Sequence, residues 1–314
     1  MPETGNDASS VRAKLRYYSF GEWEECLKNI CAQYPEWLRL FRAGKSHDGR
    51  MIYEVQLGNH PRCVICAGGI HGREWVNPIL LLAMIEEYAR AAQCGRGIGG
   101  YDVAGLLEHA SICFVPLVNP DGYVIANEGF DAIRNPYLRH TAKLRCTSFV
   151  YWKANAKGID INRNFPGKSW YSGNGPWPAS EIETRTLVQV FCSHPQSLGF
   201  LDFHSRGRVL YYYRKGMGIS YNRRVRKLAL RLADVCGYRL GAPSEEFLTR
   251  KDGGNSVHYY AEYFRRPAIT VETLDEKMRF PLSENALQST YGEIQTLPLA
   301  YLTAAAGSYF SVEK

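Results

Sequence analysis

The 314-residue chain is predicted to form one α/β domain, with a mixed, largely parallel twisted sheet flanked by helices on both faces. Three observations predict this class. Strand-like apolar runs alternate with segments of helical periodicity, which is the order of a parallel sheet covered on both sides. Hydrophobic residues make up 45% of the chain and can fill one large core. The sequence shows no internal repeat, low-complexity tract or Pro/Ser linker that would divide it.

The predicted elements follow in order along the chain. Residues 20–34 carry an apolar stripe at helical spacing, and 51–57 and 63–67 are predicted strands of a hairpin joined by a turn at 58–61. Further helices are predicted at 78–92, 187–191, 221–235 and 298–309. Further strands are predicted at 112–118, 198–203, 209–213 and 268–271. Residues 127–145 and 169–178 are expected to be irregular loops beside an active site.

A histidine and a carboxylate stand three positions apart directly after one predicted strand. His71 and Glu74 belong to the stretch GGIHGREW at 68–75. Since a strand that ends at glycines lets the chain turn, the two side chains can point at one divalent metal ion. The pair alone is weak evidence, because residues at this spacing also occur by chance on solvated helices.

A third ligand would come from a distant strand. His204 closes the strand-like run 198–203 and is the best candidate. Two histidines and one glutamate with an open fourth position are typical of a catalytic zinc site, because water must reach the metal. Taken alone, His204 would more often be a core histidine satisfied by hydrogen bonds.

A carboxylate ends another predicted strand. Glu272 follows the apolar run 268–271, and in a parallel sheet the ligand site lies beyond the carboxyl ends of the strands, where His71 and His204 also fall. A water activated by a metal needs a carboxylate to take its proton and pass it to the leaving amine. Glu272 has this chemistry, although a structural ion pair would explain it about as often.

Two more motifs complete the pattern. NPDG at 119–122 follows the predicted strand 112–118, and DINRN at 160–164 follows the pair Trp152-Lys153. With HxxE, a strand ending in His-Ser and a strand ending in Glu, this order resembles the carboxypeptidase A-like zinc metallopeptidases. The resemblance runs from about Tyr17 to the C-terminus. It implies a single-domain zinc carboxypeptidase fold, with 1–16 as a flexible N-terminal segment and 17–314 as the catalytic domain.

The resemblance also implies a metal centre and a base. One zinc ion per chain would be held by His71, Glu74 and His204, and Glu272 would be the general base. Asp160 would accept a hydrogen bond from His71 and fix the tautomer of that ring.

The substrate would be held by a second set of residues. By resemblance, Asn162 and Arg163 would bind its terminal carboxylate, with Arg73 beside them in the cleft. A guanidinium binds a carboxylate through two parallel hydrogen bonds, which an adjacent amide completes. Without the other motifs, an Asn-Arg pair would more often be a solvated turn.

The sequence departs from the digestive carboxypeptidases at two places. The tryptophan before the NRN segment is followed there by an arginine that polarises the scissile carbonyl, whereas Trp152 is followed by Lys153. A lysine can stabilise an oxyanion as a point charge, but without the bidentate fork. The tyrosine that closes over the substrate in those enzymes has no counterpart in FLTRKDGG at 247–254, where Thr249 stands about where it would fall. Substrate capture must therefore differ.

The strings WKANAKG at 152–158 and FHSRG at 203–207 resemble a bacterial branch of the family, the γ-D-glutamyl-diaminopimelate peptidases or murein peptide amidases. Those enzymes cut cell-wall stem peptides, whose diaminopimelate carries more carboxylates than an ordinary C-terminal residue. Arg206, with Lys153 and Arg163, would meet those charges. A solvated position at the rim is an equally good interpretation of Arg206.

Three functions stay open at this point. The first is hydrolysis of the γ-D-glutamyl-meso-diaminopimelate bond of a murein stem peptide. The second is removal of C-terminal residues from α-linked peptides by an ordinary metallocarboxypeptidase. The third is an inactive protein that binds wall peptides, which the joint presence of the ligand set and Glu272 argues against.

The net charge of +7 does not predict nucleic-acid binding. On the helix predicted at 221–235, apolar residues recur at helical spacing, so its basic residues should occupy a solvated face. These residues are Arg223, Arg224, Arg226, Lys227 and Arg231. Attraction to an anionic wall polymer is a better explanation of the net positive charge than nucleic-acid binding. No run of about 20 apolar residues predicts a membrane span, and the oligomeric state is not predicted.

The cysteines favour a reducing compartment. There are nine, an odd number, and Cys63, Cys66, Cys113 and Cys192 lie in apolar segments, as buried free thiols do. The first ten residues are acidic and polar and lack the apolar segment of a secretory signal. A cytoplasmic location is therefore expected, whereas a secreted or spore-associated enzyme would need a signal ahead of this sequence.

Overall fold

The computed structural model of the protein describes residues 13–246 and 249–309. Its strands are β1 (Leu38–Lys45), β2 (Met51–Leu57), β3 (Cys63–Gly68), β4 (Gly97–Ile98), β5 (Tyr101–Asp102), β6 (Ser111–Val115), β7 (Gly199–Ser205), β8 (Val209–Tyr211), β9 (Arg239–Leu240) and β10 (Ala268–Thr273). Eight of them form one sheet in the order β1-β2-β6-β3-β7-β10-β8-β9, and β4 and β5 form a separate ribbon.

The centre of this sheet is parallel. Strands β6, β3, β7 and β10 run in one direction, whereas β1, β2 and β8 pair antiparallel at the two sides. Every residue of β3 and β7 is buried, as expected for central strands that are covered on both faces. The predicted mixed, largely parallel sheet is confirmed.

Helices cover both faces of the sheet. They are α1 (Phe20–Gln33), α2 (Val76–Gln93), α3 (Val103–His109), α4 (Pro120–Glu128), α5 (Pro136–Arg145), α6 (Ile182–Ser193), α7 (Gly218–Cys236), α8 (Pro243–Glu246), α9 (Ser256–Phe264), α10 (Leu287–Ile294) and α11 (Leu297–Tyr309). On β7, Phe200 packs against Phe191 of α6. Ser205, an odd number of residues away and therefore on the other face, accepts a hydrogen bond from Asn77 of α2.

The predicted hairpin of 51–57 and 63–67 is wrong. Strand β2 forms its hairpin with the preceding strand β1, and β3 pairs in parallel with β6 and β7. The turn at 58–61 therefore carries the chain past the position that β6 occupies between β2 and β3. Strand β1 was not predicted because most of this edge strand is exposed or half-buried, so its apolar residues do not alternate regularly.

Residues 127–145 are not irregular as predicted, because they hold helix α5 and a 3₁₀ turn at Phe130–Ala132. Helix α5 buries only Leu138 and Ala142 and so lacks an apolar stripe. The start of α5 could have been predicted from the sequence Asn135-Pro136, since the Asn135 side chain caps the helix and Pro136 is its first residue. Residues 169–178 are irregular as predicted, apart from a 3₁₀ turn at Ser172–Asn174.

Helix α7 confirms the predicted solvated face, because all five of its basic residues between 223 and 231 are exposed. The residues that it buries are Tyr221, Asn222, Val225, Ala229, Leu232 and Cys236. All nine cysteines are free thiols. Cys63, Cys66 and Cys113 are buried as predicted, whereas Cys192 is exposed.

The division into a flexible segment 1–16 and a domain 17–314 stays a prediction. Residues 1–12, 247, 248 and 310–314 lie outside the described part of the chain. Within it, the Ala13 backbone N–H donates to Glu86 of α2 and the Lys14 N–H donates to the Tyr18 hydroxyl. Of the helices in the described ranges, none is both long and apolar enough to cross a membrane.

The NPDG motif fastens three segments together at the start of α4. The Asn119 side chain accepts a hydrogen bond from the Gly122 N–H and donates to the carbonyl oxygens of Ile70 and Ala154. A backbone hydrogen bond from Gly72 to Lys153 joins the same two segments directly. The loop that carries His71 is therefore tied to the segment that carries Lys153.

The acidic residue of the motif fastens a fourth segment. Asp121 is fully buried and accepts hydrogen bonds from Ser46, from the backbone N–H of Asp48 and from Arg50. Arg50 also pairs with Asp48 at 2.6 Å, so the buried carboxylates face a buried cation. This network joins the β1–β2 turn to α4. Removing either the Arg50 cation or one of the carboxylates would leave an uncompensated buried charge.

The contact between Gly72 and the NPDG turn gives a stability prediction. A Cβ atom on Gly72 would overlap the backbone carbonyl of Gly122, which cannot move away as a flexible side chain could. We expect Gly72→Ala to lower the free energy of unfolding by about 1–3 kcal/mol, the usual cost of overpacking. The measurement is urea denaturation. Gly292→Ala in α10, where the added atom meets open space, should be neutral or stabilise by about 0.5–1 kcal/mol; equal effects of the two changes would contradict the prediction.

Candidate metal centre and active site

A cavity of about 430 Å³ opens at the carboxyl ends of β3, β7 and β10. The predicted site residues that line it are His71, Arg73, Glu74, Lys153, Asn162, Arg163, His204, Arg206 and Glu272. Ser205, Thr270 and Phe280 complete the wall. Asp160, the remaining predicted residue, contacts two of the lining side chains from behind. The fold thus brings together residues that are more than 200 positions apart in the sequence, although their individual roles stay predictions.

The three predicted ligands converge on one point. His71 Nδ1 lies 2.8 Å from Glu74 Oε1 and 3.1 Å from His204 Nδ1. His204 Nδ1 lies 3.1 Å from Glu74 Oε2. All three side chains are buried. The loop after β3 carries His71 and Glu74, and His204 is the next-to-last residue of β7. Their nitrogen and oxygen atoms face one another at a spacing suited to a shared ion.

Each histidine has a carboxylate behind it. His71 Nε2 lies 3.4 Å from Asp160 Oδ1, and His204 Nε2 lies 3.1 Å from Asp202 Oδ2. A carboxylate at Nε2 keeps the proton on that nitrogen and leaves the lone pair of Nδ1 free for a metal. Asp160 stands behind His71 at ion-pair distance, but His71 Nε2 makes no hydrogen bond to a described residue, so the role of Asp160 in fixing the tautomer stays a prediction.

These residues fit a zinc ion. Ligand atoms about 2.0–2.2 Å from zinc in a tetrahedral arrangement lie roughly 3.3 Å apart, close to the observed separations of 2.8–3.1 Å. The donor set is two imidazole nitrogens and one carboxylate, the set that catalytic zinc sites use. The open side of the cluster faces the cavity.

The electrostatics of the cluster favour a cation. Burial by itself would lower the pKa of His204, but Asp202 and Glu74 raise it well above its ordinary value. Burial would raise the pKa of Glu74, but His71 and His204 hold it below its ordinary value. Because metal ligands must be deprotonated, binding of a divalent ion at this site would release protons.

Glu272 faces the same cavity from β10, beside His204 in the register of β10 with β7. Burial raises the pKa of Glu272 to about 7, and the carboxylates of Glu74 and Asp202 add to this rise against the opposing effects of His204 and Lys153. A general base works best when its pKa is near the working pH.

Lys153 reaches the cavity from the segment before the NRN motif, where its Nζ pairs with Asp160 Oδ2 at 2.9 Å. Burial opposes ionisation of Asp160, yet Lys153 and His71 hold the pKa of that carboxyl well below its ordinary value. Asp160 therefore stays charged and keeps the ammonium group at the cavity wall.

Asn162 and Arg163 lie in a 3₁₀ turn over the sheet. The Asn162 side chain accepts a hydrogen bond from the Ser256 N–H at 3.0 Å, and its Nδ2 lies 3.4 Å from His204 Nε2. The Arg163 guanidinium donates to the Asn162 carbonyl at 2.8 Å and lies 3.8 Å from an oxygen of Asp252. The amide and the guanidinium thus share one wall, as a carboxylate clamp requires.

Arg73 and Arg206 both lie near one aromatic ring. The Cζ of Arg73 is 4.5 Å from the centre of the Phe280 ring, and the Cζ of Arg206 is 5.8 Å from the same point. Arg73 lines the cavity together with Asn162 and Arg163, and its predicted place beside them in the cleft stays a prediction.

Asp202 is the main residue that sequence reasoning missed. It is fully buried, lies on the same face of β7 as His204 and accepts a hydrogen bond from Ser256. The signal was present, because residues two apart on a strand point to the same face, so Asp-x-His places a carboxylate beside the imidazole.

A hydroxyl and amide network beneath the ligands was also missed. Ser205 accepts a hydrogen bond from Asn77 and contacts the hydroxyl of Thr273 at 2.8 Å. Thr273 donates to Asn77 or to the His204 carbonyl, at 2.8 and 2.9 Å. Single polar residues on three separate elements give no local pattern, so their meeting could not be read from spacing.

The region of the missing tyrosine is only partly described. Thr249 caps the 3₁₀ turn Arg250–Asp252, and its hydroxyl bonds to Asp252. Phe247 and Leu248 lie outside the described residues. Thr249 is exposed and does not line the cavity.

The chain is similar in sequence to known zinc peptidases. A sequence model of the family described as "Zinc carboxypeptidase" matches residues 23–296. Gamma-D-glutamyl-L-diamino acid endopeptidase 1 of Lysinibacillus sphaericus is 24% identical over 284 residues, which are 85% of this chain and 68% of that protein. Carboxypeptidase A6 of Mus musculus is 26% identical over 215 residues, 62% of this chain and 44% of that protein. The chain thus spans only about half the length of several curated relatives.

A solved structure shares the fold. The structure of bovine thrombin-activatable fibrinolysis inhibitor in complex with tick carboxypeptidase inhibitor superimposes with a TM-score of 0.72 at 18% identity, covering 94% of this chain and 99% of that chain. The likeness at this identity concerns the fold alone.

The ligand geometry predicts the effect of removing one histidine. His204→Ala takes away one of three donors, so we expect the purified protein to lose most of its zinc and its activity. Elemental analysis after dialysis against a weak chelator measures the metal. The matched control is His109→Ala at the C-terminal end of α3, away from the cavity, which should keep about one zinc per chain. Full zinc occupancy in His204→Ala would refute the ligand assignment.

Proposed function

This chain belongs to the zinc carboxypeptidase family, and we propose that it hydrolyses the γ-D-glutamyl-meso-diaminopimelate bond of bacterial cell-wall stem peptides. The observation that carries the proposal is a cavity in which a zinc-binding triad and a general base share the walls with four cationic side chains. These are Arg73, Lys153, Arg163 and Arg206. So many cations suit a substrate with several carboxylates better than a peptide with one. The similarity to a γ-D-glutamyl-L-diamino acid endopeptidase supports the same choice.

The residues of the chain divide the chemical work. His71, Glu74 and His204 would hold a zinc ion, which when bound would supply Lewis-acid chemistry. Glu272 accepts the proton of the attacking water at a carboxylate oxygen and then delivers it to the leaving nitrogen. Its pKa of about 7 suits both steps, since the group can take and release a proton near neutral pH.

Two other groups hold the substrate for this proton transfer. The Lys153 ammonium, fixed by Asp160 at 2.9 Å, stabilises the negative charge that develops on the carbonyl oxygen. Asn162 and Arg163 bind a carboxylate on the leaving amino acid, which orients the scissile bond toward Glu272.

An ordinary metallocarboxypeptidase is the alternative function. The clamp of Asn162 and Arg163 would bind the terminal carboxylate of any peptide, and the chain is also similar to carboxypeptidase A6 of Mus musculus. An inactive wall-peptide-binding protein is disfavoured, because the three candidate ligands and Glu272 all line one cavity.

Glu272→Gln tests the base. The amide keeps the size and much of the hydrogen bonding of the carboxylate but cannot take up the proton of water, so kcat should fall by roughly 10²-fold or more. Zinc content should be unchanged, because Glu272 is not one of the three ligands. Turnover close to that of the wild type would assign the base to another carboxylate. Loss of zinc would show instead that Glu272 helps to build the metal site.

A panel of peptides tests the substrate. We expect a γ-D-Glu-diaminopimelate tripeptide to be cleaved with a kcat/KM at least about tenfold above that of an α-linked peptide ending in an aromatic residue, because only the tripeptide engages the additional cations. Mass spectrometry of the products locates the cut. Faster cleavage of the α-linked peptide would establish the ordinary carboxypeptidase instead.

A further inference from the structure

Two guanidinium groups meet at one aromatic ring in the cavity. Arg73 lies between the ligands His71 and Glu74 in sequence, and Arg206 follows His204 by two residues. Both side chains lie near the Phe280 ring, with Cζ 4.5 and 5.8 Å from its centre. Phe280 itself packs partly against the core. The ring thereby holds two cations, from loops after two different strands, at one place beside the metal centre.

Neither cation has an acidic partner in the described part of the chain. The ion pairs within 4.0 Å there include Lys153 and Arg163 but neither Arg73 nor Arg206. The Nε of Arg73 is buried, and none of the described residues accepts a hydrogen bond from it. Arg206 is exposed, so water screens its charge, whereas the buried N–H of Arg73 without an acceptor is costly. An anionic ligand at the ring would supply this acceptor and would also attract the Arg206 guanidinium.

Arg206 and the clamp residue Asn162 lie on different sides of His204 along the strands. Along β7 and β10, Asp202 and Thr270 precede His204 and Glu272 by two residues, on the side toward the body of the sheet. Asn162 reaches that side, since it bonds to Ser256, which in turn bonds to Asp202. Arg206 follows His204 on the outward side instead.

Arg73 and Phe280 also lie on the outward side. Arg73 follows the end of β3, and Phe280 follows the end of β10, so both lie in loops beyond the carboxyl edge of the sheet. A substrate bound across the metal must place its two halves on opposite sides. The clamp on the inward side takes the leaving amino acid, so the acyl half lies outward.

We propose that Arg73 and Arg206, held by Phe280, form a carboxylate-binding subsite for the acyl half of the substrate. This inference rests on the proposed function and names what that site reads, the free α-carboxylate of the γ-linked glutamyl residue. In a γ-linked glutamyl amide the α-carboxylate extends from the acyl chain, away from the leaving amine. An α-linked residue offers a carboxylate there only when it is itself acidic. Arg206 therefore reads the glutamyl residue, not the diaminopimelate side chain.

Four peptides that differ at two groups test the subsite. The acyl residue is γ-D-glutamate or γ-D-isoglutamine, in which a neutral carboxamide of the same shape replaces the α-carboxylate. The leaving residue is diaminopimelate or lysine, which lacks the second carboxylate. We expect the wild type to prefer glutamate over isoglutamine by about 10-fold to 100-fold in kcat/KM with either leaving residue, the range for a charge-assisted hydrogen bond.

Variants then assign the preference to the two arginines. Arg206→Ala and Arg73→Ala should each reduce the glutamate preference at least about threefold, whereas Arg206→Lys should restore part of it. The matched control is Arg279→Ala, since Arg279 is exposed next to Phe280 but does not line the cavity; it should leave the preference unchanged. An Arg206→Ala loss that follows diaminopimelate versus lysine, and not glutamate versus isoglutamine, would overturn the proposal and place Arg206 on the leaving side.

Binding provides a readout that does not need turnover. In the Glu272→Gln background, calorimetry should show tighter binding of the glutamate peptides than of their isoglutamine partners, and adding Arg206→Ala should remove most of that difference. Equal affinities in the Glu272→Gln protein would overturn the subsite.

Failure of the wall-peptide function would be visible separately. If α-linked peptides alone are cleaved, N-acetyl-Glu-Phe and N-acetyl-Gln-Phe form the corresponding pair. A preference for the glutamate member that Arg206→Ala abolishes would keep the acyl-side subsite while rejecting γ-D-glutamyl specificity. No preference in this pair would overturn both.

Discussion

Burial of carboxylates around one point is the constraint on which this protein is organised. Glu74 and Asp202 are almost fully inaccessible to solvent, and Asp160 stands behind His71. Charges in such a place are stable only when cations and hydrogen-bond donors surround them. The two histidines and Lys153 meet part of the need, and a divalent metal between the imidazoles meets the rest. The cationic groups that serve the chemistry of the site are thus also the groups that make the burial of its carboxylates possible.

The fold satisfies this constraint by ending three neighbouring parallel strands at one edge. Strands β3, β7 and β10 deliver His71, His204 and Glu272 to adjacent positions, since neighbouring strands lie about 4.8 Å apart. The loop after β3 has no strand to hold it beyond Gly68, and the hydrogen bonds of Asn119 supply the missing support. The NPDG motif is therefore a clip between the ligand loop and the Lys153 segment, and the close approach of Gly72 to Gly122 explains why that loop needs glycine.

The cavity has an inward and an outward side because strands have direction. Toward the sheet, Asn162 and Ser256 cover the face of β7 beneath the metal centre. Away from it, Arg73, Arg206 and Phe280 come from loops that follow the ligands and the base. Under the proposed function, a change confined to the outward loops would alter the acyl group that the site accepts, while the inward clamp would still bind a carboxylate.

The sequence by itself determined the α/β class, because apolar runs and turns are local patterns. The candidate ligands, base and clamp were predicted from local motifs together with the resemblance that those motifs carry. Tertiary structure alone decided which strands pair. The β2–β3 hairpin was predicted wrongly because β6, about 45 residues further along the chain, inserts between them. It also decided which cations are neighbours. Arg73 and Arg206 both lie at Phe280, because the loops after β3, β7 and β10 meet only once the sheet has formed. Contacts between distant residues depend on strand order, and local periodicity carries no information about it.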